Sequence, residues 1–151
     1  MKEILKSLIL RKFPGLIYLV RACRLRRHCY KKYSYFQSIV ADKLYGSDQI
    51  KILSGPFKGL KYFNEVAWGS ITPRWIGSYE DELHELFYNI ILKKNYDVIL
   101  DIGAAEGYYA VGLAWLLYRS KVHSFDVDPF ARKLQIKLAK LNRVSNLFIQ
   151  Q

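Results

Sequence analysis

A short apolar run that ends in an acid and leads into a glycine-rich turn constrains the fold of this chain more than any other feature. Residues 98–100 read Val-Ile-Leu, Asp101 follows, and residues 103–107 place small side chains in a G-x-A-x-G spacing. A strand buried in a parallel sheet has this apolar composition, and a tight turn needs small residues where its backbone approaches a ligand. Because Tyr108 then begins an apolar helical pattern, the stretch predicts a strand, a loop and a helix whose N-terminus faces the loop.

The same order of elements repeats after this helix. Residues 122–125 form a second strand-like run that ends in Asp126, Pro129 opens a helical stretch that runs to about Asn142, and residues 146–149 begin a third strand. Short strands that alternate with helices are typical of a parallel sheet. The predicted fold class is therefore α/β, with the first three strands of an incomplete, Rossmann-like doubly wound sheet.

Two further elements are predicted ahead of this sheet. Short strand-like runs at residues 50–53 and 60–63 flank Gly and Pro turn residues, which favours a β-hairpin. Ser78, followed by Asp81, resembles a capping box, so a helix is predicted from there to about Lys94.

The chain divides into three predicted regions. Residues 1–46 are a basic helical N-terminal segment, in which a third helix ends at Leu44 before Gly46. Residues 47–97 hold the hairpin and the lead-in helix, and residues 98–151 are the first half of a ligand-binding domain.

Positive charge is concentrated at the N-terminus. The formal net charge is +11, and residues 1–33 hold ten of the 24 Lys and Arg residues but one of the 13 Asp and Glu residues. Two interpretations stay open: a solvated charged face, or attachment to an anionic membrane surface. Nucleic acid is less favoured as a partner, since the rest of the chain is close to neutral. No apolar run near the N-terminus reaches the roughly 20 residues of a spanning helix, and the low Cys content predicts a reducing compartment. The prediction is a cytoplasmic protein, with peripheral membrane association as the alternative.

The charges around the loop predict the chemistry of a ligand. A dinucleotide motif needs a small residue where Tyr108 stands, and Asp101 would repel a pyrophosphate. A positive amine or sulfonium suits Asp101, and Asp126 can accept hydrogen bonds from the hydroxyls of a ribose. S-adenosylmethionine carries all of these groups. The alternative for Asp126 is a cap of the next helix, a role that Asp128, directly before Pro129, fits better.

Three stretches of the chain carry a family resemblance. VILDIGAAEGYYAVGLA at 98–114, VHSFDVDP at 122–129 and, more loosely, GSITPRWIGSYEDEL at 69–83 resemble class I S-adenosylmethionine-dependent methyltransferases, most closely the FkbM type. The resemblance implies S-adenosylmethionine as the cofactor and O-methylation of a small-molecule, glycan or lipid acceptor as the reaction.

The resemblance also implies the site residues. It assigns the glycine-loop role to Gly103, Ala105 and Gly107, and the acid of the first motif to Asp101. The ribose-binding acid is Asp126, at a position where Glu is more usual in the family. These residues are the predicted cofactor site.

In the family the sheet continues into further strands that supply the acceptor pocket, whereas this chain stops at Gln151. The chain is therefore interpreted as a truncated N-terminal part. The catalytic base is expected beyond Gln151, and no catalytic residue is assigned. The alternative is a truncated or degenerate remnant that binds nucleoside without catalysis and uses its basic segment on a membrane or a partner.

An acidic cluster near the lead-in helix has two interpretations. It complements the positive end of the helix dipole, or it places Tyr79 or Glu80 against the cofactor. Its members are Glu80, Asp81, Glu82 and Glu85.

No metal site is predicted. Cys23, His28 and Cys29 fit no zinc-ligand spacing. His84 falls on the predicted lead-in helix and His123 on the second strand, where each is interpreted as a packed or surface residue.

Overall fold

A computed structural model describes residues 35–151, of which residues 41–151 form one compact unit. Residues 35–45 are helical, and the chain turns at Gly46, whose φ is +56°. The predicted end of the third N-terminal helix is thereby confirmed. The other predictions for the basic N-terminal segment lie outside the described residues, and the three region boundaries stay predictions.

Two further short helices lie between Gly46 and the sheet. Helix α1 covers Thr72–Ile76, a 3₁₀ turn covers Asp81–Leu83, and α2 covers His84–Lys93. α2 ends at Lys94, which has a positive φ and donates its backbone N–H to Ile90 O. The predicted end of this helix is confirmed, but its predicted start is not.

The capping box predicted at Ser78 is wrong. Ser78 and Gly77 both donate their backbone N–H groups to Pro73 O at 2.9 Å, so they end α1 rather than begin α2. Gly77 has the left-handed conformation, with φ +81°, that commonly ends a helix. α2 begins only at His84, without a side-chain cap.

Three parallel strands form the sheet. β1 (Val98–Ile102) pairs with β2 (Lys121–Phe125), and β2 pairs with β3 (Leu147–Gln150), in the order β1-β2-β3. Helix α3 (Tyr108–Leu116) follows β1, and helix α4 (Pro129–Leu141) follows β2. The predicted β-α-β-α-β order of a Rossmann-like α/β sheet is confirmed.

Within the described residues, the connecting helices cover one face of the sheet and leave the other open. Val122 of β2 is buried in a cluster with Ala110 and Ala114 of α3. The opposite face of β1 carries exposed apolar side chains: Val98 (53%), Leu100 (62%) and Ile102 (81%). The expectation of a fully buried β1 is wrong, because successive side chains point to opposite faces and the described helices cover only one of them.

The lead-in segment, residues 50–80, supplies much of the core with little regular structure. Its fully buried large side chains are Trp75, Tyr62, Phe57, Ile52, Leu60 and Ile71. The predicted hairpin is a single antiparallel bridge, Lys51 to Lys61, rather than two strands. Ile52 bonds to the opposite run through both backbone groups, donating to Leu60 O at 2.9 Å and accepting from the Gly59 N–H at 2.8 Å, whereas the next residue, Leu53, donates its N–H to Trp75 O at 2.8 Å.

One aromatic ring attaches the lead-in segment to the helix that follows β1. Phe57 lies edge-on to Tyr108, with ring centroids 5.2 Å apart. It also lies over Gly112 of α3, where an added Cβ would be 2.6 Å from the ring. Only glycine allows this approach, so the lead-in segment is held beside the N-terminal half of α3.

Candidate functional site

The loop after β1, here called the glycine loop (residues 103–107), is anchored to the end of β2. The backbone N–H groups of Gly103 and Ala104 both donate to Phe125 O, at 2.9 and 3.0 Å. Gly103 has φ +82°, and a Cβ added there would meet no atom within 4 Å. The loop is therefore open on this side, as a close approach of ligand to backbone requires.

The far end of the glycine loop is crowded rather than open. Gly107 has φ +94°, and an added Cβ would lie 3.0 Å from Val111 Cγ2 and 3.1 Å from Gln135 Cγ. Gln135 also donates from Nε2 to Ala105 O at 2.8 Å. Gly107 is thus needed where α3 and α4 approach each other, whereas Gly103 leaves free space.

The structure brings Asp126 to the glycine loop. Its Oδ2 accepts from the backbone N–H of Ala105 at 2.8 Å, and its Oδ1 accepts from that of Asp128 at 2.8 Å. Ala105 has φ +47°, an uncommon conformation for alanine that this hydrogen bond supports. An ionised carboxylate has about four acceptor positions, so Asp126 retains capacity for ligand hydroxyls. Its ribose-binding role stays a prediction.

The predicted division of labour between Asp126 and Asp128 is confirmed for Asp128. The carboxylate of Asp128 accepts from the backbone N–H of Phe130 at 2.8 Å, and Pro129 occupies the first position of α4. Asp128 is therefore the N-cap of α4, and Asp126 is free of that role.

Asp101 lies on β1, on the face that packs against α3. Its Oδ2 is buried and has no hydrogen-bond partner. Burial raises the pKa of the Asp101 carboxyl, the backbone N–H of Ala110 lowers it, and the negative charge of Asp126 raises it again. Two neighbouring strands thus bring two carboxylates to one edge of the sheet, and one of them has an unsatisfied oxygen. A positively charged group placed there would offset both burial and repulsion.

A buried ion pair that no sequence pattern predicted reaches the glycine loop. Glu106 is fully buried and pairs with Nε of Arg74, which is 3% exposed. Glu106 also accepts from Tyr62 OH at 3.2 Å and from the backbone N–H of Ala67 at 3.3 Å. The signal available in the sequence was an acid inside a turn of small residues. Its partner is 32 positions away in the numbering, and no spacing rule identifies it.

The acidic cluster is divided between two environments, and the contact of Tyr79 or Glu80 with the cofactor stays a prediction. Asp81 and Glu82 lie in the 3₁₀ turn, and Glu85 lies in the first turn of α2. Both placements agree with helix-dipole complementation. Glu80 instead accepts from Tyr109 OH at 2.6 Å, and Tyr109 belongs to α3. Burial, followed by Glu80, raises the pKa of Tyr109.

Residues 35–151 were searched for metal-binding clusters and for membrane-spanning helices. No three His, Cys, Asp or Glu side chains in that range are grouped so that they could hold a metal ion. No helix in the same range combines the length and apolar character needed to cross a membrane.

Comparison with known proteins finds similarity among solved structures. No protein-family model matches the chain, and no curated protein matches it. Among solved structures, the chain is similar to coclaurine N-methyltransferase bound to N-methylheliamine and SAH, with 14% sequence identity and a TM-score of 0.43. The match covers 97% of this chain and 47% of the other, so this chain spans about half of that protein's length. Function must therefore be inferred from the residues of the site itself.

Proposed function

We propose that this chain is the cofactor-binding part of an S-adenosylmethionine-dependent methyltransferase. The observation that carries the proposal is the buried, unpartnered Oδ2 of Asp101 beside a second carboxylate, Asp126. When bound, S-adenosylmethionine supplies an electrophilic methyl group on a positively charged sulfur. The residues present fit such a ligand, because its cationic groups satisfy the charge and the empty acceptor position that the protein leaves at Asp101.

The same residues argue against a dinucleotide. A pyrophosphate at the glycine loop would bring negative charge toward Asp101 and Asp126, whereas a sulfonium and an amine bring positive charge. Because the two carboxylates attract the one kind of ligand and repel the other, the sign of the ligand charge distinguishes the two classes.

The shape of the glycine loop supports the same ligand. The free space at Gly103 admits a ligand against the backbone, and Asp126 has acceptor capacity left for ribose hydroxyls. Val127, directly after Asp126, is 85% exposed, so an apolar side chain next to Asp126 is free to contact a ligand. The chain's own contribution is then to orient the ligand and to hold its charge.

The finer proposal is an O-methyltransferase of the FkbM type that acts on a small-molecule, glycan or lipid acceptor. Its support is the sequence resemblance at 98–114 and 122–129. Methyl transfer works largely by positioning the two reactants, so no nucleophilic residue is assigned. Contact of residues 1–33 with an anionic membrane surface belongs to the same proposal, and its support is their charge.

Isothermal titration of the 151-residue chain with S-adenosylhomocysteine, S-adenosylmethionine and NAD tests the proposal. We expect the two adenosyl-sulfur ligands to bind and NAD to bind more weakly or not at all. Asp101→Asn keeps the shape of the side chain but removes its charge, so affinity for S-adenosylmethionine should fall about tenfold or more. Asp97→Asn makes the same change at an exposed residue directly before the other end of β1. It should leave binding unchanged.

Tighter binding of NAD than of the adenosyl-sulfur ligands would overturn the proposal. Equal affinity for adenosine and S-adenosylmethionine would favour the alternative of a nucleoside-binding remnant, since the charge at Asp101 would then play no part.

A further inference from the structure

The buried cluster around Glu106 links the lead-in segment to the glycine loop. Within the described residues, the groups that meet the Glu106 carboxylate come from residues 62–74: Tyr62 OH and the backbone N–H of Ala67 donate hydrogen bonds to it, and Nε of Arg74 forms an ion pair with it. Arg74 is itself held, since its Nη1 donates to Ser70 O at 2.7 Å and its guanidinium lies 4.0 Å above the ring of Tyr79.

Stability alone is a poor explanation for a buried ion pair at this position. Taking two charges out of water costs several kcal/mol per ion, and replacing such a pair by uncharged residues of similar volume is often neutral or stabilising. Glu106, however, lies between two residues with positive φ. The residues on either side of Glu106 are Ala105 with φ +47° and Gly107 with φ +94°.

Two different parts of the chain hold this turn. Ala105 donates its N–H to Asp126 and accepts at its carbonyl from Gln135, both at 2.8 Å. The next residue, Glu106, is bound by the lead-in segment. With both sets of contacts present, the loop conformation is set before any ligand arrives. The free-energy cost of ordering the loop on binding is then smaller.

We propose that Arg74 and Glu106 are positioning residues, whose ion pair lets the lead-in segment hold the glycine loop in its ligand-ready conformation. This inference rests on the proposed function as far as the ligand is concerned. The holding of the loop itself is a property of the free protein and can be measured without any ligand.

The test uses the full chain with Arg74→Met and Glu106→Gln combined, so that no unpaired charge is left buried. The matched control is Lys137→Met with Glu65→Gln, which removes the exposed ion pair between α4 and the lead-in segment. Hydrogen exchange of the backbone amides of Ala105 and Gly107 is measured without ligand, with the amides of β2 as an internal reference. We expect exchange at the loop amides to accelerate about tenfold or more while the β2 amides keep their rates. The control variant should match the wild type.

Affinity gives a second, separate readout. The Kd for S-adenosylhomocysteine should rise about tenfold or more in the Arg74/Glu106 variant and by less than about twofold in the control. Unchanged loop exchange, or equal acceleration in the loop and in β2, would overturn the proposal whatever the ligand. Selective loop exchange with unchanged affinity would overturn the positioning role. If the wild type binds no S-adenosylhomocysteine, the proposed function fails, and the exchange rates still decide whether the pair holds the loop.

Discussion

The lead-in segment and β1 combine backbone regularity and side-chain burial in opposite ways. The lead-in segment has almost no regular strand, yet Leu60 is fully buried within it; β1 is a regular, paired strand, yet Leu100 is 62% exposed. The same residue type therefore has opposite environments, and backbone regularity does not indicate which is which. Strand pairing is made by backbone N–H and C=O groups whatever the side chains are, whereas burial depends on which other elements cover the side chain.

The largest expected effect tests this comparison directly, because the same substitution, leucine to alanine, is made in both regions. Leu60→Ala removes a fully buried side chain and should lower the free energy of unfolding by about 2–5 kcal/mol. Leu100→Ala, on the open face of β1, should change it by less than about 1 kcal/mol. Chemical denaturation with urea measures both. Equal losses at the two positions would mean that the open face is covered in the protein in solution.

A smaller effect is expected where the lead-in segment meets α3. Gly112→Ala places a methyl group 2.6 Å from the ring of Phe57. The overpacking cost of about 1–3 kcal/mol exceeds the roughly 1 kcal/mol that alanine contributes to helix stability over glycine. The melting temperature should therefore fall.

The control for this contact is Phe57→Leu, which makes room for the methyl group. Gly112→Ala should cost less in that background than in the wild type, as thermal unfolding of the four variants would show. A Gly112→Ala variant that is more stable than the wild type would contradict the close packing of Phe57 on α3.

The covered face of β1 offers a third test, through Asp101. Because burial raises its pKa in the folded state, the folded protein binds protons more tightly than the unfolded chain. Stability therefore falls as pH rises through the unfolded pKa of about 3.9 toward the raised folded value, and the cost is fully present above that value. Asp101→Asn should be more stable than the wild type at neutral pH, and its advantage should vanish in acid.

Thermal unfolding of both proteins across this pH range checks the sign of the effect. Asp97→Asn, at an exposed position just before the same strand, should show no such pH-dependent gain. A wild type more stable than Asp101→Asn at neutral pH would show that the carboxylate has a partner in the free protein.

The smallest effect is expected at Ala105 of the glycine loop, whose backbone is hydrogen-bonded to Asp126 and to Gln135. Ala105→Gly relieves a left-handed conformation that costs alanine about 1 kcal/mol, but glycine gains about 0.4–1 kcal/mol of freedom in the unfolded chain. The two nearly cancel, so the free energy of unfolding should change by less than about 0.5 kcal/mol. A loss well above that value, measured by urea denaturation, would show that the Ala105 methyl group packs in the loop.

Much of the candidate site was predictable because its parts are adjacent in the chain. The strand that carries Asp101, the turn at residues 103–107 and the N-cap at Asp128 each follow from a few neighbouring residues. The Ser78 capping box failed because its backbone N–H groups were already committed to the end of α1, which residue types alone do not reveal. Glu106 was missed because its role depends on Arg74, which comes from a different part of the chain.

The order of strands, loop and helices was determined by the sequence itself, since apolar period, small turn residues and caps act over a few positions. The tertiary structure alone decided which apolar residues are buried, that Asp126 fastens Ala105, and that a buried cation meets the glycine loop at Glu106. These outcomes depend on contacts between residues far apart in sequence. Their free energy exists only once the lead-in segment has packed on α3 and water has been excluded between them.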